Sequence, residues 1–419
     1  MFKRITILLT LAAASILTSP AADPTATRYS WAQCAGSLMP YPAREQLTLP
    51  DSLTAVYIDH VGRHGARFPA SPKYTMTMKE TLMRADSLGT ITTAGHRLLK
   101  LCNDVIELSH NNWGALDSLG KSEQRDIASR MFLNFPNLFR DTRISAISSY
   151  APRCVMSMYE FTHQLDRLNN NIEITTNAGR VNSPLLRPFD TDTEYIEWRK
   201  EDAQKPVYDS YIETFIPAEP LKRVLGAAYP FPEDWRQLAL CEYYVLAGMS
   251  AMGRPVDPSY YFTLDEYNAL WSCFNLRQYL VRTATTLSTV PADITSPLVL
   301  DIIESLQRAA EGKNNVTANL RFGHAETLMP LLSQLHIPGC YYMTNYFDTV
   351  RQHWKDFYVV PMAANIQFVL LKSESGKHYV MTLLNEEPVN LIPNDNRTLL
   401  PVSEAIKYMT HCLPLHLQP

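Results

Sequence analysis

The chain has 419 residues, 46% of them hydrophobic and 19% charged, with a formal net charge of −4. This composition supports a large buried core and excludes a disordered or fibrous chain. Its mild acidity excludes nucleic acid as the main partner, because phosphate-backbone binding needs a broad basic surface, and any anion site must therefore be local.

Lys3 and Arg4, the apolar run Ile5 to Leu17 and the small residues Ser19 to Ala22 read as a secretory signal over residues 1–22. The run is shorter than the roughly 20 residues a spanning helix needs. Cleavage near Ala21 or Ala22 removes two positive charges and no acids, taking the net charge from −4 to −6. The expectation is an exported protein, periplasmic or secreted, without stable membrane insertion.

Ala55-Val56-Tyr57-Ile58 predicts a short buried strand running into Arg63-His64-Gly65-Ala66-Arg67-Phe68-Pro69. The stretch Thr92 to His110 sets Leu98, Leu99, Cys102, Val105 and Ile106 at helical spacing, a helix expected to pack on the sheet. A second helix opens at Leu116–Gly120 and runs to Met131. Arg143–Ser149 predicts another strand, followed by a loop through Tyr150–Arg153 and a helix from Cys154 to about Arg167.

From 170 to 291 Pro, Trp and Tyr become frequent, amphipathic segments such as Trp235 to Gly248 and Leu264 to Thr286 dominate, and strand signals fade. This predicts a mostly helical insertion capping a core built from residues 23–169 and 292–419. A helix over Leu298 to Ala309 and a strand at Asn319–Phe322 come next. Ile366 to Leu371 and Tyr379 to Leu384 then flank the turn-rich Ser373–Gly376 as a hairpin.

The heptapeptide at Arg63 to Pro69 carries the most chemistry. Two guanidinium groups offer planar donor forks matched to phosphate oxygens. The imidazole between them can attack phosphorus and form a covalent intermediate. Its place after a strand is where ligands collect in open α/β sheets. A second motif, Phe322-Gly323-His324-Ala325-Glu326-Thr327, precedes Leu328, Leu331, Leu332 and Leu335, so His324 and Glu326 fall where a strand turns into a helix. A helix N-terminus favours an anion, to which a protonated His324 would add. For Glu326 to act as an acid, a bound phosphate dianion must outweigh that helix end, which predicts an acidic or near-neutral optimum.

Seven cysteines include no C-x-x-C pair, so zinc ribbons and thioredoxin-like redox are not supported, and no H-E-x-x-H or comparable ligand cluster occurs. Some cysteines can pair in an oxidising compartment, and the odd count leaves at least one free. Gly120-Lys121-Ser122 lacks the spacing of a phosphate-cradling loop, and Gly248 to Gly253 lacks that of a serine-hydrolase elbow.

Together, R-H-G-A-R-F-P at Arg63 to Pro69 and F-G-H-A-E-T at Phe322 to Thr327 resemble the histidine phosphatase superfamily in its acid phosphatase and phytase branch. Ser148 to Ser157 around Pro152-Arg153-Cys154, Pro361 to Asn365 and Leu384 to Val389 are similar to it too. His-Ala-Glu, where most of the branch carries His-Asp, is similar to the multiple inositol polyphosphate phosphatases. The resemblance implies a three-layer α/β sandwich with a helical cap and no metal or cofactor. It implies His64 as nucleophile, Arg63, Arg67, Arg153 and His324 as phosphate ligands, and Glu326 as proton donor. Arg187, Lys200 and Lys205 lie in the cap region expected to ring a polyanionic substrate such as an inositol phosphate. A monomer acting on a small molecule is expected. The alternatives are a broad-specificity acid phosphatase on sugar or aryl phosphates and a binding module without turnover.

Overall fold

The computed structural model describes residues 28–418, so the expected signal segment lies outside the described residues. Eight strands form one mixed sheet: β1 (Leu53–Arg63), β2 (Arg143–Ser148), β3 (Glu173–Ala178), β4 (Ala318–Gly323), β5 (Asn365–Ser373), β6 (His378–Leu384), β7 (Glu387–Val389) and β8 (Leu399–Pro401). Their order is β3-β2-β4-β1-β5-β6-β7, with β8 also paired to β6. The four strands from β3 to β1 run parallel, and β5 joins β1 antiparallel.

The longer helices are α1 (Lys73–Ser87), α2 (Thr93–Leu108), α3 (Ser118–Asn134), α4 (Pro152–Leu168), α5 (Lys205–Phe215), α6 (Trp235–Ala251), α7 (Leu264–Arg282), α8 (Ser296–Ala310), α9 (Ala325–Gln334) and α10 (Val402–His411). Alternation along the strands feeds two cores. Ile58, Leu320, Val369 and Leu383 join Ile127 of α3 and Phe161 of α4 on one face. Tyr57, Val61, Phe368 and Val380 join Ile302 of α8, Leu331 of α9 and Met409 of α10 on the other. Strand side chains point alternately to opposite faces, so a sheet covered on both sides needs apolar residues in both registers. The three-layer α/β architecture with a helical domain is thus what the chain adopts.

Three expectations need adjusting. The helix α2 packs chiefly on α1 and the short helix Glu219–Leu225 rather than on the sheet, and α1 packs on α6. An apolar stripe shows that a helix buries one face, not what covers it. The strand β3 lies inside the span expected to be all cap, pairing with β2 from Arg143↔Glu173 to Ser148↔Ala178. It is a mostly exposed edge strand whose Thr175, Thr176 and Asn177 lack the alternation that marks a half-buried strand. The strand β3 therefore belongs to the sheet although it follows the expected boundary at 170. Finally, α4 starts at Pro152, so Arg153 sits in its first turn and not in a loop. Proline is favoured at that helical position, where its missing N–H costs nothing.

Candidate active site

Register sets the site. Gly62 of β1 and Ser148 of β2 both pair with Phe322 of β4, so three parallel strands end at one level. Side chains carried just past these strand ends converge there: His64 after β1, Ser149 and Arg153 after β2, His324 after β4. The rings of His64 and His324 lie 5.8 Å apart, edge to face.

The loop holding His64 is fixed by main-chain contacts. Gly65 packs against Gly120 so closely that a Cβ on Gly65 would fall 2.3 Å from the Gly120 carbonyl oxygen. Gly120 is equally constrained, since its own Cβ would lie 2.0 Å from the Ala66 carbonyl oxygen. The Gly120-Lys121-Ser122 run is thus the shelf under the histidine loop. Glu123 holds the loop from below, one oxygen accepting Ala66 N–H at 2.7 Å and the other Tyr41 N–H at 2.8 Å. Burial pushes its carboxyl up to about 7. Ser157 Oγ accepts Gly65 N–H at 3.1 Å.

His64 Nδ1 lies 2.9 Å from the Gly65 carbonyl oxygen, which can only accept. That bond places the proton on Nδ1 and leaves the Nε2 lone pair available for attack. Burial, then Arg153, Arg63, Arg67 and His324, hold the ring well below the usual imidazole range, which favours the neutral form a nucleophile needs.

Three arginines surround it. Arg63, 3% exposed, uses one terminal nitrogen on the Ser37 and Val360 carbonyls, both at 2.6 Å. Arg67 bonds the Phe68 carbonyl at 2.8 Å and the Tyr244 hydroxyl. Arg153 reaches within 3.3 Å of His324 Nδ1. The buried Nε of each of the three has no hydrogen-bond partner among the described residues. Buried donors without acceptors are costly, and several in one place mark a site built for an acceptor-rich ligand.

His324 caps α9, with Ser149 Oγ at 2.9 Å and Arg187 at 2.8 Å from its Nε2. Burial lowers its pKa; Glu326 opposes this and Arg153 and Arg187 reinforce it, leaving it at about 3. The protonated clamp expected from sequence is therefore not the resting state, chiefly because burial disfavours the charged ring and two guanidiniums beside it add to that. Glu326 lies in the first turn of α9, its side chain 36% exposed. Enclosure pushes its carboxyl up, yet Arg282 and then His324 pull it down to about 2.

Of the cap residues expected at the site, Arg187 is there, also paired with Asp190 at 2.6 Å and stacked over Phe189 and Tyr150. Lys200 and Lys205 are not brought in. They are solvated and paired along their own helices with Glu197 and Asp209. Helical i,i+3 and i,i+4 pairs are the ordinary fate of such lysines. Sequence reasoning missed Glu123, Ser149, Ser157, Tyr244 and Arg282; Ser149 follows β2, and the other four are unremarkable residues within helices.

Parallel strand ends that gather an imidazole and a surplus of guanidinium donors, on a sheet covered by helices, are the fold and site of a phosphatase. The model of the histidine phosphatase superfamily (branch 2) matches residues 57–385, and the chain belongs to that family. It is 26% identical over 388 residues to human multiple inositol polyphosphate phosphatase 1, covering 84% of this chain and 78% of that one. Among solved structures it is similar to the Bifidobacterium longum multiple inositol polyphosphate phosphatase in complex with phosphate, with TM-score 0.76 and 16% identity over 92% of this chain and 99% of that one. It is similar also to the phytase from D. castellii, with TM-score 0.70 and 16% identity over 97% and 90%.

Proposed function

We propose that this phosphatase hydrolyses inositol polyphosphates, phytate among them, through a phosphohistidine on His64. The observation that carries the reading is the pairing of a free Nε2 lone pair on His64 with the unpartnered guanidinium nitrogens around it.

In the first step His64 Nε2 attacks phosphorus and the ester P–O bond breaks. Arg63, Arg67, Arg153 and, once the dianion is bound, protonated His324 carry the charge on the transferring oxygens. Glu326, protonated beside that dianion, gives its proton to the departing inositol oxygen. In the second step the Glu326 carboxylate takes a proton from water, the water oxygen attacks phosphorus and the N–P bond breaks. Inorganic phosphate leaves, and His64 and Glu326 return to their starting states. Arg187, beside His324, is the cap residue best placed to meet a neighbouring phosphate. The substrate is a small polyanion, the enzyme acts as an exported monomer, and no metal takes part.

Support for inositol polyphosphates over simple esters comes from His324-Ala325-Glu326 together with the named activities of the relatives. The test is to follow inositol phosphates by chromatography over time and to trap a labelled, acid-labile phosphoenzyme, with His64→Ala as control. Phosphate release without any phosphoenzyme, or appreciable turnover by His64→Ala, overturns the mechanism. A higher kcat/KM on aryl or sugar monoesters than on phytate supports the broad acid phosphatase instead.

A further inference from the structure

Arg282 ends α7 and bridges Tyr195 and Glu326. One terminal nitrogen donates to the Tyr195 hydroxyl at 2.9 Å, and that hydroxyl donates onward to the Val281 carbonyl at 3.1 Å. The other terminal nitrogen stands 3.7 Å from Glu326 Oε1, an ion-pair distance too long for a hydrogen bond. The guanidinium also lies 5.8 Å from the centre of the Phe189 ring, which neighbours both His324 and Arg187. A group clamped at one end and loosely paired at the other can change its second partner without losing its anchor.

The conflict to be resolved is chemical. The acid of the first step must carry a proton, yet Glu326 sits among guanidiniums, those of Arg282 at the end of α7, Arg63 at the end of β1 and Arg153 of α4, beside the His324 ring and with the Tyr195 hydroxyl and the Cys154 thiol nearby. The guanidiniums of Arg63 and Arg153 stand near His64, which under the proposed mechanism takes the phosphoryl group. Arg282 instead belongs to α7 and neighbours Phe189, the ring that Arg187 also covers.

Resting on the reading of Glu326 as proton donor, we propose that Arg282 is a positioning residue that exchanges Glu326 for a second, non-scissile phosphate of the substrate. The acid thereby takes up its proton at higher pH when a polyphosphorylated molecule is bound than when a simple ester is. With a simple ester, Arg282 stays on Glu326 and keeps it the anion down to lower pH. The cap then discriminates by setting the protonation of the acid as well as by adding affinity.

The test compares pH profiles of kcat for phytate, glycerol 2-phosphate and p-nitrophenyl phosphate, the last having a leaving group that needs little acid assistance. In the wild type the alkaline limb lies at higher pH for phytate than for glycerol 2-phosphate. Arg282→Gln shifts the glycerol 2-phosphate limb upward by about one pH unit, towards that of phytate. The phytate limb stays within about 0.3 unit while KM for phytate rises about tenfold, and p-nitrophenyl phosphate changes less than about threefold. Tyr195→Phe, which removes only the anchor hydroxyl, gives the same shift at smaller size and serves if Arg282→Gln fails to fold. Unshifted limbs in both variants overturn the proposal, as does a wild type whose two alkyl substrates share one limb. A wild type inactive on phytate overturns the substrate reading instead. Full activity of Glu326→Gln on glycerol 2-phosphate overturns the assignment of the acid.

Discussion

The loop after β1 and the cap-facing side of the cleft hold their functional groups by different means. His64 is located by backbone: two glycines in mutual contact, a carboxylate receiving two main-chain N–H groups, and a carbonyl that fixes the imidazole tautomer. Glu326, His324 and Arg187 are located by side chains from short helices and helix ends, with Arg282 and Asp190 as partners. Backbone packing is hard to deform, whereas side-chain pairs exchange readily. The part common to every turnover is thus rigid, and the part that must answer to different substrates is adjustable.

The largest test of this contrast removes the nucleophile. His64→Ala is expected to lower phosphate release by about 10^4-fold or more with an unchanged circular dichroism spectrum. Next, Gly65→Ala pushes a methyl group into the Gly120 backbone, which has no side chain to yield. The loop must shift, and kcat is expected to fall about 10^2-fold, the scale for roughly 1 Å of misplacement. If Gly65→Ala keeps wild-type kcat, the loop yields where a rigid one could not.

The cap is expected to be alterable on its own. Glu242 of α6 is fully buried with neither carboxyl oxygen partnered among the described residues, and burial raises its pKa from 4.5 to about 8. The folded chain therefore holds this proton more tightly than the unfolded chain. That contribution is complete below about pH 4.5 and is lost as pH rises through about 8. Glu242→Gln, neutral throughout, is expected to be more stable than wild type by about 1–3 kcal/mol at pH 9 in urea unfolding, with little difference at pH 4. Its kcat at pH 5 should not move.

Smaller effects sharpen the map of the cap. Arg187→Ala is expected to lower kcat/KM on phytate about tenfold, since it removes a charged contact beside His324. Lys200→Ala and Lys205→Ala, taken from solvated pairs, are expected to change it less than about twofold. A lysine effect as large as that of Arg187 would mean that the cap closes much further over substrate than this structure shows.

The same contrast explains what is legible in the sequence. Arg63, His64 and Arg67 stand out because two guanidiniums around an imidazole after an apolar strand have little other use. His324 and Glu326 are legible through the leucine spacing of α9. Arg282 closes an ordinary amphipathic helix, and Tyr195 and Glu123 sit in others, so only tertiary packing reveals what each one faces. The edge strand β3 is hidden because a polar strand at the margin of a sheet needs no apolar pattern. The neighbours of α2 are hidden for a related reason: its stripe declares a buried face and is silent about the partner.

Seven thiols remain as thiols throughout the structure, six of them buried. Burial raises those of Cys102, Cys154 and Cys241 to about 11 or 12, away from the reactive thiolate form. Among the described residues no covalent cross-link joins cap to core, so the fold asks nothing of the redox state in which it forms. The enzyme should assemble as well in a reducing cell interior as outside it, and dithiothreitol should leave its melting temperature and turnover untouched.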